Sequence, residues 1–177
     1  TVTGGDVGHF DDGILVGHSS NFGNSDGTLI ISDGNLSAGG LSVGTTLAQN
    51  VQSVSAPDAV ATATGSFTMS NGMLTLDKPF FVNNLDIGAA RVRGSAVGSA
   101  VLTNVDASVA GSVNVGHGLF SDGPTPVSGI GSLTMTNGSF DANQLNIGFA
   151  STGDNGQGEV SFDGTTVSVT THVIVGS

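Results

Sequence analysis

An eight-residue pattern recurs along this chain, and it constrains the architecture more than any other feature. Gly131-Ser-Leu-Thr-Met-Thr-Asn-Gly138 returns as Gly65-Ser-Phe-Thr-Met-Ser-Asn-Gly72 and, more loosely, as Gly27-Thr-Leu-Ile-Ile-Ser-Asp-Gly34. Weaker copies open at Gly98 and Gly158. Each copy continues through a second apolar alternation and closes on apolar-x-apolar-Gly, at Leu41–Gly44, Leu85–Gly88, Val113–Gly116, Leu145–Gly148 and Val173–Gly176. Ile14–Gly17 closes an incomplete first copy. A unit of this size cannot bury its own apolar face, so tandem copies are expected to stack on one another as a solenoid.

Within each copy apolar and polar residues alternate, so every second side chain turns inward. In one copy these are Leu133, Met135, Phe140, Ala142, Leu145 and Ile147. Phe67, Met69, Leu74, Leu76, Leu85 and Ile87 match them in a second, and Val160, Phe162, Val167, Val169, Val173 and Val175 in a third. Three short strands per copy predict a triangular cross-section, with like-sized residues stacked in columns. The chain is read as one all-β domain over 1–177, a parallel β-helix (β-solenoid) of about six turns near 2–17, 27–44, 65–88, 98–116, 131–148 and 158–176. Opening glycines lie 38 residues apart between Gly27 and Gly65 but 27 apart between Gly131 and Gly158. That variation is assigned to loop insertions at 45–64, 77–84 and 117–130, with shorter ones at 89–97 and 149–157.

Asn-Gly and Asp-Gly pairs are also strong hairpin signals, which makes an antiparallel meander the rival fold. Register decides between them. An Asn or Asp recurs at one place in five copies, as Asp33, Asn71, Asn104, Asn137 and Asp163. A meander has no reason to repeat it, whereas a solenoid corner does, because stacked Asn residues tolerate left-handed backbone and hydrogen-bond from turn to turn. These five are the expected corner ladder.

Composition removes several classes of partner. Three Lys and Arg residues stand against fourteen Asp and Glu, for a formal charge of −11. Such a chain cannot neutralise a phosphate backbone or dock on an anionic bilayer, so nucleic acid and membrane insertion are excluded as partners. With no cysteine there is no disulfide, zinc-thiolate site or thiol nucleophile. The first residue is Thr1 with no signal peptide before it, which reads as a mature product or an excerpt.

The pattern Gly-x-Leu-x-Met/Ile-x-Asn/Asp-Gly, a second alternation and then Leu-x-Ile-Gly resembles the repeat of bacterial autotransporter passengers and of surface proteins with PEP-CTERM sorting signals. The resemblance spans nearly the whole chain. It implies a secreted or cell-surface bacterial protein and, together with the general handedness of parallel crossovers, a right-handed helix. It carries no catalytic residue across.

Chemistry is sparse. Asp11 and Asp12 are adjacent and would point to opposite sides of a strand, so they read as a turn. Asp86, Asn114 and Asn146 share an outward column that is expected to be a solvated amide ladder, with calcium as the weaker alternative. Asp154-Asn155-Gly156 with Glu159 resembles a calcium loop but lacks its full spacing. His18 and His117 fall in one column three turns apart, too far to share a metal, and with His9 and His172 they read as surface residues. Arg91 and Arg93 are expected to pair with acids rather than contact a glycan. No nucleophile elbow is present, and no enzyme and no cofactor are expected. The segment Asp77–Asn84 departs most from the repeat, and Lys78, Phe80 and Phe81 make it a candidate contact bulge.

Neither end carries a cap, so Val2 and Val7 at one end and Val173 and Val175 at the other are the expected assembly surfaces. The sequence therefore points to an extracellular structural module that stacks head to tail into a surface fibre or forms part of an adhesin stalk. A polysaccharide-binding or polysaccharide-degrading β-helix is the alternative, followed by an ice-binding protein.

Overall fold

The computed structural model describes residues 1–3, 7–10, 13–20, 23–47, 60–77, 85–91, 94–118, 127–151 and 154–176. These form twelve strands and no helix: β1 (Val2–Thr3), β2 (Val7–Phe10), β3 (Ile14–Ser20), β4 (Gly23–Ser32), β5 (Leu36–Ala38), β6 (Leu41–Leu47), β7 (Ala61–Leu76), β8 (Leu85–Ala90), β9 (Gly94–Gly118), β10 (Ser128–Ile147), β11 (Asn155–Asp163) and β12 (Thr166–Val175). Every pairing among them is parallel, and all belong to one sheet. The hairpin rival is thereby dismissed. The architecture is the mostly parallel all-β arrangement that a β-solenoid requires.

Stacking follows the repeat. Opening glycines pair in succession, Gly27 with Gly65, Gly65 with Gly98, Gly98 with Gly131 and Gly131 with Gly158. The closing strands do the same, through Ile14, Leu41, Leu85, Val113, Leu145 and Val173. The alternating apolar residues of the inner copies form one continuous core, which includes Ile31, Met69, Leu102 and Met135 as a column from successive copies.

The columns are not like-sized. Phe67 stacks on Ala100, and Ala107 stacks on Phe140. Both alanines belong to β9, so the large rings of its two neighbours lie against the smallest residues of the copy between them. Matching large to small across facing positions keeps the interior at crystal-like density. Phe140 also meets Phe162 of the next copy, with ring centroids 5.2 Å apart.

The presumed loops correct the sequence reading further. Segments 45–64, 89–97, 117–130 and 149–157 begin or end in ordered pairing and do not leave the fold at the closing glycine. After Gly17, Gly44, Gly88 and Gly116 the chain runs on as a ribbon in which His18 pairs with Thr45, Thr46 with Ala90 and Ala89 with His117. Before each opening Gly a second ribbon pairs Gly23, Ala61 and Gly94, then Ser95 and Ser128, then Asn155. Ala90, Ala96 and Val127 form a separate small core between the ribbons. The inner copies therefore have a flank layer besides their core strands. Its residues are mostly Ala, Gly, Ser and Thr, too small and too weakly apolar to register as a strand pattern.

Glycine makes this junction possible. A Cβ on Gly65 would lie 2.1 Å from the backbone nitrogen of Gly44, and one on Gly131 2.3 Å from that of Gly116. The outgoing and incoming backbones touch there, which only glycine permits.

Candidate functional site

The corner predicted from the repeat is built from the αL residues Asp33, Asn71, Asn104 and Asn137, with φ of 57, 53, 53 and 58°. Each amide donates to the side-chain oxygen of the copy before it: Asn71 Nδ2 to Asp33 Oδ1 at 2.8 Å, Asn104 to Asn71 at 2.9 Å, and Asn137 to Asn104 at 3.0 Å. Asp163 is not part of this ladder. It pairs with Thr136, one position earlier, and the αL corner of that copy is Gly164, with φ of 62°. The backbone register continues unbroken into the final copy, but its Asp-Gly pair stands one position earlier than the Asn-Gly pairs, so glycine and not Asp holds the corner. Replacing Asn104 by Ala is expected to cost about 2–3 kcal/mol, from two side-chain hydrogen bonds and the αL penalty, and Asn104→Gly about 1 kcal/mol less. Thermal unfolding of the two variants measures the difference. Equal losses would contradict the assignment of part of the cost to αL backbone.

A second ladder lies on the outward side of the closing strands. Asn114 Nδ2 donates to Asp86 Oδ1 at 2.8 Å, and Asn146 Nδ2 donates to Asn114 Oδ1 at 2.8 Å. Arg91 caps it with an ion pair to Asp86 Oδ2 at 2.7 Å. The sequence reading placed this column in solvent, but Asn114 is only 1% exposed and Asp86 5%. Asp86 spends both oxygens on protein donors, so the ladder is a buried, charge-capped network and not a row of free oxygens awaiting calcium. Arg91 pairs with an acid, as expected. In the weaker calcium-like loop, Asp154 accepts from Val127 N–H at 3.2 Å and from the Ser151 hydroxyl, while Glu159 stands exposed on β11.

His117 contradicts its reading as a surface residue. It is 6% exposed, and neither ring nitrogen has a hydrogen-bond partner among the described residues. Its ring packs edge-on against Phe149 with centroids 5.1 Å apart. Burial, and secondarily the charge of Arg91, lower its pKa to about 4. His18, in the same column, is half-buried with Nδ1 3.0 Å from Thr45 Oγ1, and burial lowers its pKa while Thr45 partly opposes the shift. The periodicity gave no sign of this burial because the covering layer is the unrecognised flank. His172 is exposed on β12.

In comparisons with known proteins, no family model matches the chain, and neither a curated protein nor a solved structure does. Function has to be read from surfaces.

Of the expected assembly residues, Val173 is 53% and Val175 71% exposed, whereas Val2 is half-buried. Val7 pairs through its backbone with Leu36. Among the described residues no strand covers the far edge of β11 or β12. The bulge residues Lys78, Phe80 and Phe81 lie outside the described residues, as do Asp11, Asp12 and Arg93.

The outward side of the opening strands carries Thr134 and Thr136, the pair on which the ice-binding alternative rests. Thr62, Thr64, Ser66, Thr68 and Ser70 of β7 lie beside Ser95, Val97, Ser99, Val101 and Thr103 of β9, and these beside Ser128, Ile130, Ser132, Thr134 and Thr136 of β10. None is charged. The acids of this face, Asp26, Glu159 and Asp163, are on the flanking strands β4 and β11. The register was legible in the repeat, but the evenness of the face emerges only when copies are superposed.

Proposed function

We propose that this chain is a structural β-solenoid module of a secreted or surface-displayed bacterial protein, a right-handed parallel helix of about six triangular turns that stacks head to tail. The observation that carries this reading is the last copy. Its inward residues Val160, Phe162 and Val169 are only partly buried, Val173 and Val175 are exposed, and among the described residues no strand pairs with the backbone edge beside them. At the opposite end Ile14–His18 and Ser25–Leu29 line an open cleft.

Continuing the existing register by one copy sets Val2 of a second molecule over Phe162, Ile14 over Val173 and Val16 over Val175. Each column then continues apolar on apolar, and the backbone edges pair at about 4.8 Å, as between copies within one molecule. The repeat's resemblance to autotransporter passengers and PEP-CTERM surface proteins supports the location.

Sedimentation and electron microscopy across a concentration series test the proposal. Rods of uniform width that lengthen with concentration are expected. Val173→Lys, which places a charge in the joint, is expected to leave short particles with unchanged circular dichroism. Particles of a single short length at every concentration would remove head-to-tail stacking.

A further inference from the structure

The uncharged outer face has relief. Residues of two columns, Thr64–Val97–Ile130 and Thr68–Val101–Thr134, are exposed except for Thr68, whereas the Ser66–Ser99–Ser132 column between them is half-buried. The more exposed columns thus make two ridges along the stacking direction, and the half-buried columns Thr62–Ser95–Ser128, Ser66–Ser99–Ser132 and Ser70–Thr103–Thr136 make the troughs beside and between them. Alternate residues of a strand are about 6.6 Å apart, so ridges and troughs share one spacing of about 13 Å. A surface of this kind is complementary to itself. Shifted by one column, the ridges of one copy enter the troughs of another, as in the dry interdigitated interfaces of stacked sheets.

We propose that this face is a lateral pairing surface between two copies of the chain. Charge selects the occupant. In a protein of net charge −11, copies repel through most of their surface, and the three central strands of this face are where they meet without opposed carboxylates. An anionic or cationic partner finds no counter-charge there, and with no aromatic residue among the fifteen positions nothing stacks on a sugar ring.

The three uncharged strands span about 30 by 14 Å, or about 430 Å² per partner, roughly half the about 800 Å² of a standard stable interface. Pairing of two single modules is therefore weak, and it strengthens when several faces are held in line. The inference is independent of head-to-tail stacking, because it uses none of the end residues.

The test compares Val101→Lys with Val173→Lys by sedimentation equilibrium and electron microscopy. Val101 is 37% exposed, so its replacement leaves the core intact, and Ile130→Lys, at 40% exposure on the other ridge, serves as a second variant. Each added lysine reduces the magnitude of the net negative charge and would, if anything, promote unspecific association. The end variant Val173→Lys is expected to form discrete side-by-side dimers. Adding Val101→Lys or Ile130→Lys to it is expected to weaken dimerisation at least tenfold, while Val101→Lys alone gives single, unpaired rods. Dimers that survive both ridge substitutions would overturn the proposal. So would an end variant that stays monomeric at millimolar concentration, or a ridge whose only measurable effect is on ice growth, scored as thermal hysteresis.

Discussion

Gly88→Ala is expected to cost more than about 4 kcal/mol, the range of exceptional single substitutions, and to abolish most of the stability of a domain worth about 5–15 kcal/mol. Gly88 is at φ +66°, and a Cβ there would lie 1.8 Å from the carbonyl oxygen and 2.4 Å from the carbonyl carbon of Ile130. These are backbone atoms of a paired strand, so no side-chain rotation relieves the contact, and the flank would have to part from the core. Gly23→Ala supplies the control. Its φ is +127° but nothing lies within 4 Å of the added carbon, so it reports backbone strain alone, about 1–3 kcal/mol. Urea unfolding of the two variants separates the effects. If they fall within about 1 kcal/mol of each other, close backbone approach is not what holds Gly88.

Acid is expected to loosen the protein through His117. Its pKa falls from 6.5 unfolded to about 4 folded, so the folded state favours the neutral ring. That contribution is complete above pH about 6.5. It declines as pH falls from there and is lost below about 4, where the total reaches about 3 kcal/mol. Carboxylates titrate over part of the same range, so the informative quantity is the difference from His117→Phe, in which they cancel. The variant is expected to equal or exceed the wild type at neutral pH by about 1 kcal/mol, because two buried nitrogens without partners are removed. Its advantage should widen by about 3 kcal/mol between pH 6.5 and 4. Parallel stability curves for the two proteins would show that His117 reaches solvent before the rest unfolds.

The two ladders show how far sequence reasoning reaches. Asn71, Asn104 and Asn137 were legible because a left-handed corner restricts the choice of residue, and the restriction recurs at the same place in each copy. Asp163 was misassigned by the same logic, since Asp-Gly in the last copy resembles Asn-Gly in the others but stands one position earlier in an unbroken register. The column of Asp86, Asn114 and Asn146 was found but placed in water. Whether an outward side chain is wet depends on what lies over it, and alternation reports only which way the side chain points.

By itself the sequence determined the parallel stacking of copies, the inward columns and the Asn corner, because all three are written in local periodicity and local backbone preference. The tertiary structure alone decided the flank ribbons, the burial of His117 and of the Asp86 network, the pairing of Phe67 and Phe140 with the alanines of β9, and the evenness of the uncharged ridged face. Each of these depends on neighbours from different copies, or from both sides of a closing glycine. The residues that meet there are small or polar enough that nothing in their own segment announces the contact.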